Sequence, residues 1–259
     1  MARSASGLGS CSKFALFRRL APRAAAVPMR LATGAPNTGQ MLVFVPPHPL
    51  LSHWLAVARS SATPPQLFRA ALAELGRLLV YEAVRDWLPV AAGEVETPGG
   101  ARAACEVVDA LQPLVLVPLL RAGPVLLEQA ATCLPAHTTH HAWVVDGELA
   151  LHALPPSLPP GARVLLADPV LATGAALCCV VDALLARGAA AANVRVVAAV
   201  CAPPALQRLA AAYPGLRVYA AMIDEGLGGD GQVLPGVGDA HARCFGTPSR
   251  FATRQGPEV

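Results

Sequence analysis

The run Arg163-Val164-Leu165-Leu166-Ala167, followed by Asp168-Pro169-Val170-Leu171-Ala172-Thr173-Gly174, constrains this chain more than any other stretch. Five mostly apolar residues read as a buried strand, an acid ends it, and small residues turn the chain. Residues 175–187 then suit a helix closed by Gly188. Open parallel α/β sheets are built from this unit, and their ligands sit just beyond the C-terminal ends of the strands. A helix start offers unpaired N–H groups and the positive end of the dipole, which suits a phosphate. The Thr173 hydroxyl adds a donor, and Asp168 can hold sugar hydroxyls without facing the phosphate. The expected chemistry is binding of a phosphorylated sugar.

The same alternation recurs along the chain. Residues 113–117 read as a strand with Arg121-Ala122-Gly123 as its exit turn, Val194 to Val200 as another, and Arg217-Val218-Tyr219 as the start of a fourth. Short apolar strands alternating with helices predict a parallel sheet covered on both faces. Upstream, Thr63, Pro64 and Gln66 form a capping pattern with proline at the first helical position. Phe68, Leu72, Leu75 and Leu79 then recur at helical spacing, giving a helix to about Ala83. The proline-rich residues 155–160 form a loop.

Charge divides the chain unevenly. Residues 1–40 hold Arg3, Lys13, Arg18, Arg19, Arg23 and Arg30 and no acid; without these six, the remaining 14 bases face 17 acids. A basic, Ser/Ala-rich, acid-free leader reads as an organelle transit peptide, for plastid or mitochondrion. With 54% hydrophobic and 14% charged residues, a largely disordered or nucleic-acid-coating protein is excluded. The aliphatic run Leu114 to Leu120 is too short to span a bilayer and carries Pro118, so no membrane partner is expected. Seven scattered cysteines without a CxxC pair indicate neither a disulfide framework nor a zinc site. Cys178 and Cys179 read as buried thiols in a helix. His140 and His141 are adjacent and diverge in direction, so they make no metal pair. No protein-held metal is expected.

Several ordered motifs resemble uracil phosphoribosyltransferases, the plant plastid form in particular. DPVLATG is flanked by PLLRAG upstream and PGVGDA downstream, and HPLLSHW, FRAALAELGRLLVYEAVRDW, WLPVAAGEVETP, AAVCAPPALQRL, YAAMIDEG and CFGT also match, from about Met41 to Thr247. The resemblance implies a phosphoribosyltransferase domain over 41–247, between the leader and a tail at 248–259. It implies a type I phosphoribosyltransferase fold, a parallel sheet flanked by helices with a small hood. The implied reaction joins uracil to phosphoribosyl diphosphate, giving UMP and diphosphate, with a weakened nucleotide-binding relative as the alternative. Asp168 and Arg121 would be the catalytic residues, Asp168 on the ribose and Arg121 on the diphosphate. Pro169, Val170, Leu171, Ala172, Thr173, Gly174, Ala175, Ala176 and Asp239 would complete the phosphoribosyl diphosphate site. Val233, Gly238, Asp239 and Ala240 would read uracil with main-chain groups. Asp239 has capping of the next turn as its other possible task, whereas Glu82 and Asp224 are read as structural. Magnesium would ride on the diphosphate; GTP as an activator and a homo-oligomer are also implied. Lys13 is the chain's one lysine, so every cationic role in the body falls to arginine or magnesium.

Three stretches depart from the family pattern. Relatives continue the loop as Gly-Gly-Ser/Thr where this chain has Gly174-Ala175-Ala176. They carry an Arg-Asp-Glu-x-Thr-Leu hairpin where residues 143–149 read WVVDGEL without an arginine. They read Gly-Asp-Ala-Gly-Asp-Arg where this chain has Gly238-Asp239-Ala240-His241-Ala242-Arg243.

Overall fold

The computed structural model describes residues 40–249 apart from 110, 113, 135 and 146. The chain divides into two units, residues 1–36 and 37–259, and the described residues belong to the second. The expected leader, except Gln40, and most of the expected tail lie outside the described residues.

The elements run β1 (Leu42–Phe44), α1 (Pro49–Arg59), α2 (Pro65–Val84), β2 (Val90–Glu96), β3 (Arg102–Val108), β4 (Leu114–Pro118), α3 (Gly123–Leu127), β5 (Thr138–Thr139), β6 (Ala142–Val145) and β7 (Glu148–His152). They continue with β8 (Arg163–Ala167), β9 (Val170–Leu171), α4 (Ala175–Leu185), β10 (Val194–Cys201), α5 (Pro203–Ala212), β11 (Arg217–Ile223), β12 (Gly226–Leu227), β13 (Val233–Leu234) and α6 (Ala240–Phe245). The central sheet has the order β1-β11-β10-β8-β4-β5, with β9 also paired to β10. All its strand pairs are parallel. Three antiparallel hairpins, β2–β3, β6–β7 and β12–β13, lie off it.

The period-two alternation of a strand explains why this sheet is covered twice. Leu114 and Leu116 of β4 and Leu165 and Ala167 of β8 turn to one face, with Phe68, Leu72, Leu75 and Leu79 of α2. Val115, Val117, Val164 and Leu166 turn to the other, with Leu177, Val180, Val181 and Leu184 of α4 and Leu209 of α5. Unbroken apolar strands, legible as such in the sequence, are the mark of a parallel sheet buried on both sides.

Two local expectations are corrected. Helix α2 starts one residue later than predicted, with Pro64 as its N-cap and no side-chain cap. Pro64 holds an extended backbone (ψ 158°), and the Thr63 hydroxyl instead donates to the Val57 carbonyl at 2.7 Å, closing the α1–α2 turn. Cys178 and Cys179 are half-buried. The apolar stripe of α4 at 177, 180, 181 and 184 takes the sheet-facing side and leaves 178 and 179 on its flanks.

Buried Arg195 on β10 is the polar exception in the sheet. Its guanidinium donates to the Ala83 carbonyl at the end of α2, to Asp86 Oδ1 (2.7 Å) and to the Tyr219 hydroxyl (3.0 Å), and it lies over the Trp87 ring. A cation under a helix C-terminus is favourably placed. No described helix is long and apolar enough to cross a membrane.

Helices α2 and α3 touch at backbone distance: a Cβ on Gly76 would fall 1.7 Å from the Leu126 carbonyl oxygen. Gly76→Ala is therefore expected to cost about 3 kcal/mol, the upper end of ordinary overpacking, read from the urea midpoint. Burial would raise the Asp86 carboxyl, but the hydrogen bond from Arg195 and the charges of Arg195 and Arg217 hold it below its ordinary 3.8. Its stabilisation is complete above the unfolded value and is lost as pH falls through the lower folded one. Asp86→Asn should flatten the fall in melting temperature below about pH 4, and an unchanged acid limb would remove Asp86 from the account.

Candidate active site

The C-terminal ends of β4 and β8 open onto one cavity of about 290 Å³. Asp168 leaves β8 with its N–H donated to the Val197 carbonyl (3.1 Å), and Val170 N–H points at its carboxylate at 3.5 Å. β9 then pairs with β10, and Leu171 accepts from Ala202 N–H (2.8 Å), so the loop is pinned at both ends. Thr173 is exposed, and its Oγ1 accepts from Ala175 N–H at 3.4 Å. Gly174 forms the N-cap of α4 at φ +74°, a left-handed conformation that side chains resist. A Cβ there would also approach the Ala205 backbone at 3.2 Å. Ala175 is the first residue of α4, and positive φ stays with Gly174, so Ala175 is accommodated without strain. The remaining consequence of Ala176 is one absent hydroxyl, about 0.5–1.5 kcal/mol for a neutral hydrogen bond.

The second wall comes from residues 231–241. Buried Asp224 shapes it: its carboxylate accepts from Arg59 (2.5 and 3.3 Å) and from Gly236 N–H (3.0 Å), while Arg59 also donates to the Gly236 carbonyl (3.0 Å). Arg243 rivets α6 to the end of α1, donating to the carbonyls of Ala58, Ser60 and Val237. Asp239 caps α6, accepting from His241 and Ala242 N–H groups (both 3.1 Å) and from the Ser249 hydroxyl (3.2 Å). Its carboxylate thus takes the capping task.

The structure gathers Asp168 through Ala176, Val233 and Gly238 through Ala240 on this one cavity. Arg121 is placed differently. Its side chain is exposed with the guanidinium 5.9 Å from the Phe245 ring centroid, and its backbone N–H rather than its charge meets a cavity residue, His241. The Leu120–Arg121 peptide beside it is cis. The cavity is also lined by residues that the sequence did not mark as ligand-binding: Val144 and Gly147 of the β6–β7 hairpin, and Gly231 and Gln232 before β13. The Asp-Gly pair at 146–147 was the available hairpin signal. Among the described residues no group of three acids, histidines or cysteines could hold a metal ion.

The model of the family described as uracil phosphoribosyltransferase matches residues 45–247. A Nicotiana tabacum uracil phosphoribosyltransferase is 46% identical over 82% of this chain and 97% of its own. The chloroplastic uracil phosphoribosyltransferase of Arabidopsis thaliana is 45% identical over 83% and 74%, and a Synechococcus elongatus counterpart 49% identical over 81% and 99%. A solved structure from Aquifex aeolicus superposes with a TM-score of 0.71 at 30% identity, covering 79% of this chain and 98% of that one.

The loop geometry makes Gly174 the residue least able to change. Gly174→Ala imposes a left-handed alanine, worth about 1–2 kcal/mol, and should weaken ribose 5-phosphate binding about tenfold by calorimetry. Equal affinity would show that the phosphate does not depend on this turn.

Proposed function

This chain belongs to the uracil phosphoribosyltransferase family, and we propose that its cavity joins uracil to phosphoribosyl diphosphate, yielding UMP and diphosphate. The observation that carries the reading is the Asp168–Gly174 turn, whose acid and helix start line one cavity with Val233 and Gly238–Ala240. In this reading the amides at the start of α4 and the Thr173 hydroxyl hold the 5′-phosphate, and Asp168 holds the ribose hydroxyls. Val233 and the main chain of Gly238–Ala240 read the pyrimidine edge. Arg121 lies beside the diphosphate.

Reaction breaks the bond from the ribosyl carbon to the diphosphate oxygen, whose electron pair leaves with diphosphate. A uracil ring nitrogen bonds to that carbon and gives its proton to solvent. The ribosyl carbon becomes cationic in passing, so the side chains position the substrates and balance charge rather than attack. Magnesium carried by the diphosphate substrate would neutralise the leaving group. Among the described residues, Asp168 and Asp239 are the carboxylates on the cavity wall, hard oxygen donors of the kind magnesium takes.

The leader directs the protein to a plastid in this proposal, supported by the chloroplastic relative. Homo-oligomerisation and activation by GTP, expected from the family resemblance, complete it and are read by sedimentation and by the initial rate with and without GTP.

Protein starting at Met41, given labelled uracil, phosphoribosyl diphosphate and Mg²⁺, should release UMP. Asp168→Asn should lower kcat about 10²-fold with the fold intact, the scale of one lost electrostatic contact to a transition state. Absence of UMP from the unmutated protein would overturn the proposal.

A further inference from the structure

We propose that His241 is a positioning residue that latches the turn from Leu119 to Gly123 onto the start of α6. It would thereby couple the diphosphate side of the cavity to the uracil side; the coupling rests on the proposed function, the latch itself on geometry.

The backbone donors of the turn can be followed one by one. Leu119 N–H goes to the Ala167 carbonyl (2.9 Å), Leu120 N–H to Ala142 (2.8 Å) and Gly123 N–H to Leu119 (2.8 Å). The two in the middle go to a side chain: Arg121 N–H and Ala122 N–H converge on His241 Nδ1, at 3.3 and 3.1 Å. His241 is in turn fixed from below, since its own N–H is held by the Asp239 cap and α6 is held by Arg243. The ring lies on the cavity wall with Leu119 and Leu120.

An imidazole nitrogen that accepts two N–H groups carries no proton, so the neutral ring holds its proton on Nε2. Protonation of the ring converts Nδ1 from acceptor to donor and opens the latch. Charged groups near the latch include Arg121 on the turn, Asp239 at the start of α6 and Asp168 on the same cavity, with the Arg69–Glu128 pair beyond Phe245.

Asparagine places a carbonyl oxygen close to the Nδ1 position and does not titrate, whereas alanine removes the acceptor. His241→Ala should raise KM for phosphoribosyl diphosphate about tenfold, the scale of two backbone hydrogen bonds, with kcat and melting temperature little changed. KM of the unmutated protein should rise on the acid side; His241→Asn should restore KM and remove that rise. In ¹⁵N NMR spectra of the ligand-free protein, His241 should be the Nε2–H form, and the Arg121 and Ala122 amides should move with its protonation. A KM unchanged or lowered in His241→Ala, or an Nδ1–H ring, overturns the latch. Failure of the unmutated protein to make UMP sinks the functional reading instead, and the NMR result then decides the latch by itself.

Discussion

A parallel sheet must be covered on both faces, because its crossovers place helices there and its strands carry apolar side chains on both sides. Here α2 and α4 lie on opposite faces over β4, β8 and β10, and no strand residue from Leu114 to Val117 or from Val164 to Ala167 is left to water. With both faces taken, the chain has its free polar groups where strands end and helices begin. The Asp168–Gly174 turn stands at such an end, between the strand that aims the acid and the helix that offers its amides.

Rigidity at that edge comes from side chains to which the proposed reaction gives no contact with substrate. Asp224 and Arg59 hold the Gly236 backbone, Arg243 holds α6 against α1, and Asp239 caps α6. Together they fix the wall on which Gly238 and Ala240 present their main chain. This division of labour suits chemistry carried by placement and charge, where an ångström of slack is costly.

The strands and the turn after β8 were legible from sequence because their signals are local: unbroken apolar runs, an acid at a strand end, a glycine closing a helix. Whatever depended on tertiary partners was harder to read. Thr63 looked like a cap, but a neighbouring carbonyl at Val57 claimed its hydroxyl. Asp239 was read first as a ligand residue and second as a cap, and the partners that its carboxylate takes follow from α6 beginning at the next residue. Arg121 lay in a matching motif, yet its orientation is set by Phe245 and its backbone by His241, both more than a hundred residues away. The hairpin at 142–152 is apolar in sequence, yet among its described residues only Ala142 is fully buried, so apolar pattern did not mark which of its residues would face the cavity.

The contact of Gly76 with Leu126 has a wider reach than packing. Helix α3 begins two residues after Arg121, so the spacing between α2 and α3 also sets the height of the turn on the cavity rim. A glycine buried between two helices is thereby enrolled in the geometry of the cavity rim, and a methyl added there would be felt at the rim as well as in the core.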